Sequence, residues 1–447
     1  MSAVGSDEGE AGERVCLDFG TAYSKAAALA ADGRVHVLRI GGPAGFGDET
    51  MTPSVLFVSG GRIRLGPHAL AHARQGDPRG EPMLSFKTIL AAHDLDAALG
   101  LKLRPAVDPT GTLIQREALI LYLAYLDQLI AAAIAKQALS PSLADAPRRY
   151  TSPIWRAHSE GDRIMARLFD EAAIVSGLVG AQLTDGDGIS IAQARAALDK
   201  AREALGIGQL ERGVFEAHAA AAAYAAFAEA PSDYLLVFDM GGGTTDFAAF
   251  ARDETGAMNE IVAARQSSGL AGDALDEIVI SLLMAKLRAR SRDAEAEAWR
   301  GLKLNARALK EELFAEGRTR FWIEGRKLDL RRAELFADRR FKEFARALGD
   351  VCAASARALA AHAAPQSKAP LLLAGGGAHL GFIADLAVRA AQGAPGLVFT
   401  HVRAGEAWRL PQHLGAHETA SLPQLSVALG GALAAFSAQR ASESIGV

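Results

Sequence analysis

The chain has 447 residues, half of them hydrophobic, which is enough for a large core and more than one average domain holds, so two lobes are expected. A formal net charge of −4 offers no basic excess for nucleic acid or an anionic membrane. The two cysteines, Cys16 and Cys352, form neither a CxxC nor a metal-binding spacing, which excludes a disulfide framework and fits a cytoplasmic protein with reduced thiols.

The first thirteen residues, MSAVGSDEGEAGE, are acidic and small. They lack the basic and apolar regions of a signal peptide and read as a flexible tail. RVCLDFGTAYSKAAALAADGRVHVLRI reads as two strands followed by a third, with Asp32-Gly33 as a hairpin signal. TPSVLFVSGGRIRLG repeats the idea, turning at Gly60-Gly61. A helix is expected over 117–137. Its apolar run, ALILYLAYLDQLIAAAIA, barely reaches the length of about 20 residues that a bilayer needs and carries Asp127 and Gln128 in its middle, so a buried helix is expected. RRYTSPI is a short strand halted at Pro153, and a helix over 159–176 is ended by Gly177.

In GDGISIAQARAALDKAREALGIG, Ser190 and Gln193 form a capping-box pattern at the start of a helix. DGDG at 185–188 invites a calcium loop. With Gly188 at the invariant glycine, however, Leu183 takes the first position and Ala194 the twelfth, where glutamate is required. VFEAHAAAAAYAAFAEA is an alanine-rich helix able to pack very close to a neighbour. YLLVFDM and TDFAAFARD are strands. Helices dominate 271–314, RTRFWIEGRKLDL is a hairpin, APLLLAGGGAHLGFIADLAVRA is strand, glycine turn and helix, and LPQLSVALGGALAAF is the last helix.

The chemistry concentrates in LVFDMGGGTTDF at 236–247. Glycines let the main chain approach a bulky anion, their N–H groups can form a nest for phosphate oxygens, and threonine hydroxyls add donors. An earlier copy exists: Asp18-Phe19-Gly20-Thr21 also follows an apolar strand and continues into a second one. Two strand–Asp–Gly–Thr–strand hairpins, one per half, point to two related α/β lobes facing one another. Aspartates beside phosphates are repelled unless a cation lies between them. Asp18 and Asp239 therefore imply Mg²⁺, held through its waters. No GxxxxGK[ST] occurs, and no GxGxxG follows a strand, so phosphate is expected between opposed hairpins.

These stretches resemble the Hsp70 and actin ATPase superfamily. VCLDFGTAYSKAAAL is similar to its first phosphate loop, LLVFDMGGGTTDFAAF to its second and LLLAGGGAHLGFI to its adenosine loop. TPSVLFV, MLSFKTIL, YTSPIWRAHSEGDR, VFEAHAAAAAY and SSGLAGDALDEIVI favour the Hsp70 branch, and the resemblance covers about 14–436. It implies the two-lobed actin-like ATPase fold, a ribonuclease H-like duplication with a mixed five-stranded sheet in each lobe and ATP or ADP with Mg²⁺ in the cleft. The implied division is a tail over 1–13, a first lobe over 14–212 with an inserted helical segment at 185–208, a second lobe over 213–436 whose last helix packs back on the first, and a tail over 437–447.

The resemblance also implies residue roles. Gly20, Thr21, Ala22, Gly241, Gly242, Gly243, Thr244 and Thr245 would contact phosphates, Asp18 and Asp239 would hold the Mg²⁺ shell, and Lys87 would neutralise charge and place the attacking water. Glu216 would sit near metal or water, and Asp246 is a further candidate. Lys310 and Gly375, Gly376 and Gly377 would lie along the adenosine. Departures occur at Ala217-His218, Arg307, Glu311, Phe314, Ala378-His379 and Gln424. His218 is expected to be a packed histidine. The sequence ends at SAQRASESIGV, where Hsp70s continue into a linker and peptide-binding domain, so the chain resembles the short, nucleotide-domain-only homologues. The implied function is a slow ATPase acting as a nucleotide-gated, chaperone-like switch on an unknown client or co-chaperone. The alternatives are an actin-like polymerising scaffold and a small-molecule kinase.

Overall fold

The computed structural model describes residues 12–41, 48–75, 80–152, 160–204, 208, 210–254, 256–287, 291–323 and 325–433. Pro153, the expected helix start at 159, most of the 1–13 tail and the 437–447 tail lie outside them.

Each half of the chain builds one sheet on an Asp-Gly-Thr hairpin. In the first half, β1 (Arg14–Asp18), β2 (Tyr23–Leu29) and β3 (Val35–Leu38) form an antiparallel meander. β4 (Arg148–Ser152) and β5 (Leu210–Phe215) extend it in parallel beyond β1, giving the order β3-β2-β1-β4-β5. In the second half, β6 (Tyr234–Met240), β7 (Thr245–Arg252) and β8 (Met258–Glu260) form the meander, and β9 (Ser367–Ala374) and β10 (Leu397–Arg403) extend it. The order is β8-β7-β6-β9-β10, with the same parallel and antiparallel senses. The sequence echo is thus a duplication of topology.

Each sheet has six strands where five were expected. The meander strand is too short to cover its neighbour: β3 pairs only Ala26 to Leu29 of β2, and β8 only Phe250 to Arg252 of β7. Met51–Pro53 and Gln266–Ser268 pair with the remaining halves, satisfying edge N–H and C=O groups that burial would otherwise leave orphaned.

The helices supply the outer layers: α1 (Gln115–Lys136), α2 (Glu160–Val179) and α3 (Ile191–Glu203) in the first half, α4 (Glu216–Phe227) after β5, then α5 (Gly272–Lys286), α6 (Arg292–Glu316), α7 (Arg339–Ala360), α8 (Gly381–Gln392) and α9 (Leu422–Leu433). Among the described residues, α1 is the one helix long and apolar enough to cross a membrane, but 67% of its most apolar window is buried inside the fold. Its polar middle has partners. Asp127 pairs with Arg148 at 3.0 Å and accepts the Ser176 hydroxyl, which Gln128 also contacts. α2 runs through Gly177, the expected stop, to Val179. A lone helical glycine costs only about 1 kcal/mol, and the chain turns at Gly180, where φ is +62°. α3 opens on the expected capping box, with Gln193 N donating to Ser190 Oγ and Ser190 N to Gln193 Oε1. Arg195 and Arg202 then pin it to Glu117 of α1 at 2.6 and 2.9 Å.

Two helices join the lobes. β5 stays in the first sheet up to Phe215, so the chain crosses into the second half through α4 rather than at residue 213. α9 returns to lie on β1 and β2 and crosses α4, so a single apolar cluster runs from Val37 and Cys16 through both helices to Leu235 and Val237. The crossing is tight: a Cβ on Gly430 would fall 1.7 Å from Ala219 O, and one on Gly431 would fall 2.4 Å from Cys16 Sγ. The expected close approach of the alanine-rich helix is made here, with glycine on one partner and alanine on the other. Cys16 and Cys352 are both buried free thiols, and burial pushes Cys352 up to about 12.

Candidate functional site

Both hairpins end at one cleft of about 1020 Å³ between the lobes. The carboxyl ends of β1 and β6 aim Asp18 and Asp239 into it, and the loop after each strand forms its floor. The loops touch. A Cβ on Gly242 would lie 3.2 Å from that of Ala22, and one on Gly243 would lie 2.9 Å from Thr21 Oγ1, so both glycines let the two main chains approach. Among the described residues, no backbone group accepts from the N–H groups of Thr21, Ala22, Gly242 or Gly243. The second loop is held from behind by the start of α5: Gly272 N donates to Gly241 O at 3.1 Å and Asp273 N to Gly242 O at 2.7 Å. Its carbonyls are thereby turned away, leaving donors for an anion.

Asp18, Gly20, Thr21, Ala22, Lys87, Glu216, Asp239, Gly241 to Gly243, Thr244, Lys310 and Gly375 to Gly377 all line the cleft. Thr245 does not. Strand alternation turns it to the other face of β7, where it is fully buried and its hydroxyl donates to Leu270 O at 2.7 Å. Asp246 lies behind the wall and accepts the Thr244 hydroxyl at 2.9 Å; that hydroxyl has one proton and cannot also donate it to a ligand in this arrangement. Lys310 is held by Gly272 O at 2.8 Å and Asp276 at 2.9 Å. Gly375 and Gly377 are required by the protein itself: their Cβ atoms would collide with Asp239 Oδ1 at 2.4 Å and Met240 at 2.5 Å. Gly376 has room towards the cleft.

The charges are dense. Lys87, 6% exposed, pairs with Glu216; burial lowers its pKa, but Glu216, Asp18 and Asp239 outweigh that and hold it above the ordinary lysine value. Asp18 accepts from Lys25 Nζ and from Thr151 Oγ1, each at 2.7 Å. Burial raises its carboxyl, but Lys25, Lys87 and these hydrogen bonds hold it below the usual range. Asp239 is the opposite case. It is 5% exposed, and no hydrogen bond or ion pair reaches its carboxylate from the described residues. Burial and then Glu216, Asp246 and Asp18 push it well above the ordinary value. Glu216 is also raised, by burial and the neighbouring Asp18 and Asp246, against the pull of Lys87. Asp239 thus stands in the cleft beside Glu216 and Asp18 with no cation paired to it among the described residues.

The structure brings in Lys25 and Ser85, which the sequence reading did not single out. Lys25 sits directly across the hairpin from Asp18, and an opposite-charge cross-strand pair was its only sequence signal. Arg307, a noted departure, reaches between lobes to Ala22 O at 3.2 Å, Ser85 Oγ at 2.9 Å and Asp273 at 3.4 Å. Ser85, at φ +56°, also donates to Asp273 at 2.7 Å. His218 is packed between Phe215 and Phe250 and bonds Glu260 at 2.7 Å, while Phe314 stacks on Phe382.

Two sheets of one topology, closing on a cleft with a glycine-rich hairpin from each side, define a two-lobed actin-like ATPase fold. A family model for Hsp70 protein matches residues 192–363, and no curated protein matches the chain. The family match covers less than half of the chain; together with the fold it supports the Hsp70/actin-like ATPase superfamily and nucleotide binding.

Proposed function

We propose that this chain is a slow, Mg²⁺-dependent ATPase that works in the cytoplasm as a nucleotide-gated, chaperone-like switch on a protein partner. The observation that carries this reading is Asp239, a buried carboxylate with no cation partner among the described residues, set beside two opposed hairpins whose N–H groups find no backbone acceptor among them. A buried, uncompensated carboxylate is costly, and a divalent ion arriving with phosphate removes the cost. Asp239 would hold that ion through its waters, with Asp18 facing it across the cleft. Bound Mg²⁺ supplies positive charge to the phosphate oxygens.

The chain's own residues do the rest. Thr21, Ala22, Gly242 and Gly243 offer backbone donors that hold the phosphate chain. Lys87, kept charged and fixed by Glu216, stabilises negative charge and orients water. Glu216, with its carboxyl raised by burial, would take a proton from that water. Arg307, Ser85 and Asp273 tie the lobes together above the cleft, so occupancy of the cleft and lobe closure share one set of contacts.

The test is calorimetry with ATP, ADP and GTP, with and without Mg²⁺, followed by turnover. ATP should bind, and Asp239→Asn and Lys87→Ala should each slow hydrolysis by about a hundredfold or more, against no change for the exposed Lys342→Ala. A wild-type protein that binds no nucleotide, or a Lys87→Ala variant with wild-type turnover, refutes the reading.

A further inference from the structure

A second cavity, of about 650 Å³, lies beside the cleft. Arg307 and Asp273 line both, so the bridge they make with Ser85 is the partition between them. The first half of the chain supplies Val55, Leu84 and Leu103 to its walls, and the second half supplies Ile280 and Leu304. Leu304 packs on the small apolar cluster of Val55, Phe57, Ala69 and Ala73. On α6, Trp299, Lys303 and Arg307 follow one another at four-residue spacing, so they share one helix face, and all three line the cavity. Trp299 is 38% exposed.

The charges in these walls are unbalanced, with six basic side chains against four acidic ones. Three of the acids are already matched: Glu81 by Arg104 at 3.4 Å, Asp273 by Arg307 at 3.4 Å and Asp276 by Lys310 at 2.9 Å. Glu277 is the fourth. On the basic side, Arg74, Lys102 and Lys303 have no hydrogen-bond or ion-pair partner among the described residues. Cations on a convex surface are satisfied by water. These three stand on the concave and mostly apolar walls of a cavity, where low-dielectric surroundings concentrate their field. An apolar cavity of this size with a few polar groups is of the kind that holds a small molecule.

We propose that this second cavity binds a small amphipathic organic anion. Its apolar body would lie against Trp299, Leu304 and Leu103, and its anionic group would be taken by Lys303 with Lys102 and Arg74. The site does not rest on the nucleotide reading. Because both halves of the chain line it, an occupant also favours their approach across the partition made by Arg307.

The test uses the whole chain and two fluorescent probes: anilinonaphthalene sulfonate, an aromatic body with one anionic group, and phenylnaphthylamine, the same body without it. The sulfonate should bind at a single site, at least about tenfold more tightly than the amine. Lys102→Gln/Lys303→Gln should weaken the sulfonate by about tenfold and leave the amine unchanged, and Trp299→Ala should weaken both by about three- to tenfold. Trp322, 66% exposed on the hairpin strand Arg318–Ile323 and outside the cavity lining, is the control, and Trp322→Ala should change neither. Lys102 and Lys303 are exposed, so the double variant should melt with wild type; should it not fold, the comparison of the two probes on wild type still decides. Equal affinity for the two probes, or an unchanged sulfonate affinity in a folded double variant, overturns the proposal. Displacement of the sulfonate by ATP with Mg²⁺ overturns it as well, because the probe would then lie in the neighbouring cleft. A chain that takes the sulfonate as expected but binds no nucleotide supports this site and refutes the ATPase reading.

Discussion

Replacing Gly430 by alanine tests whether the helix crossing is the joint between the lobes. The added Cβ would sit 1.7 Å from Ala219 O, 2.6 Å from Ala219 C and 2.9 Å from Ala223 N, all backbone atoms of α4. No rotamer relieves a Cβ, so the helices must part by about 1.5 Å before ordinary contact distances return. Overpacking of this kind costs about 1–3 kcal/mol, and the upper end applies because the obstacle is main chain. Against it stands a gain of about 1 kcal/mol in helix propensity. The net expectation is a loss of about 2 kcal/mol, or about 4–8 °C in Tm for a unit the size of one lobe. Gly177→Ala is the matched control, because Gly177 is also helical but its Cβ would meet nothing within 4 Å. That variant should gain stability by up to about 1 kcal/mol. Thermal melts of the two variants beside wild type decide the matter. A Gly430→Ala protein as stable as wild type would show that α4 and α9 do not cross this closely.

Two further outcomes are expected. Burial would raise Glu260, but hydrogen bonds from Arg265 and His218 outweigh it and depress its carboxyl to about 2 from an ordinary 4.5, a contribution of about 3 kcal/mol at neutral pH. Because the folded value is the lower one, this stability is present above about pH 4.5 and is lost as pH falls through about 2. Denaturation of Glu260→Gln should therefore show a large deficit at pH 7 that shrinks steadily below pH 4, and a deficit independent of pH would contradict it. Arg307→Ala removes the contacts to Ala22, Ser85 and Asp273, so a fluorescent ATP analogue should leave about tenfold faster in stopped-flow displacement, while an unchanged rate would show that Arg307 does not latch the lobes.

The elements that sequence reading located well are those whose turns carry their own chemistry. Asp32-Gly33, Gly60-Gly61 and the Ser190–Gln193 box are local signals, and the strands and helix beside them follow. Errors arise where the deciding contact is distant. Gly177 looks like a helix stop, but the turn that ends α2 forms at Gly180. The short strands Met51–Pro53 and Gln266–Ser268 exist because β3 and β8 leave half a neighbour unpaired, which only the assembled register reveals. The triple glycines and aspartates are legible as two hairpin ends, and the structure brings them to one cleft. The face of Thr245, the acceptor taken by Thr244 and the reach of Arg307 across the lobes depend on tertiary geometry.

The asymmetry between the hairpins bears on why a duplicated fold would close at all. Two identical walls, each with an aspartate facing the phosphates, would repel the same ligand equally and repel one another. Here Lys25 pairs with Asp18 on the first wall, while Asp239 on the second lies across from Asp246 with no cation paired to it among the described residues. A bare polyphosphate suits the first wall and is rejected by the second; a divalent ion has the reverse preference. Under the proposed function, the species that satisfies both walls together is the complex of metal and phosphate, so its arrival favours the closed arrangement held by Arg307, Ser85 and Asp273. Exchanging the charges, as in Lys25→Asp with Asp246→Lys, should therefore abolish closure driven by nucleotide and metal even if the fold survives. Small-angle scattering with and without ATP and Mg²⁺ would show it: compaction persisting in the exchanged protein would mean that closure does not depend on which wall bears the cation.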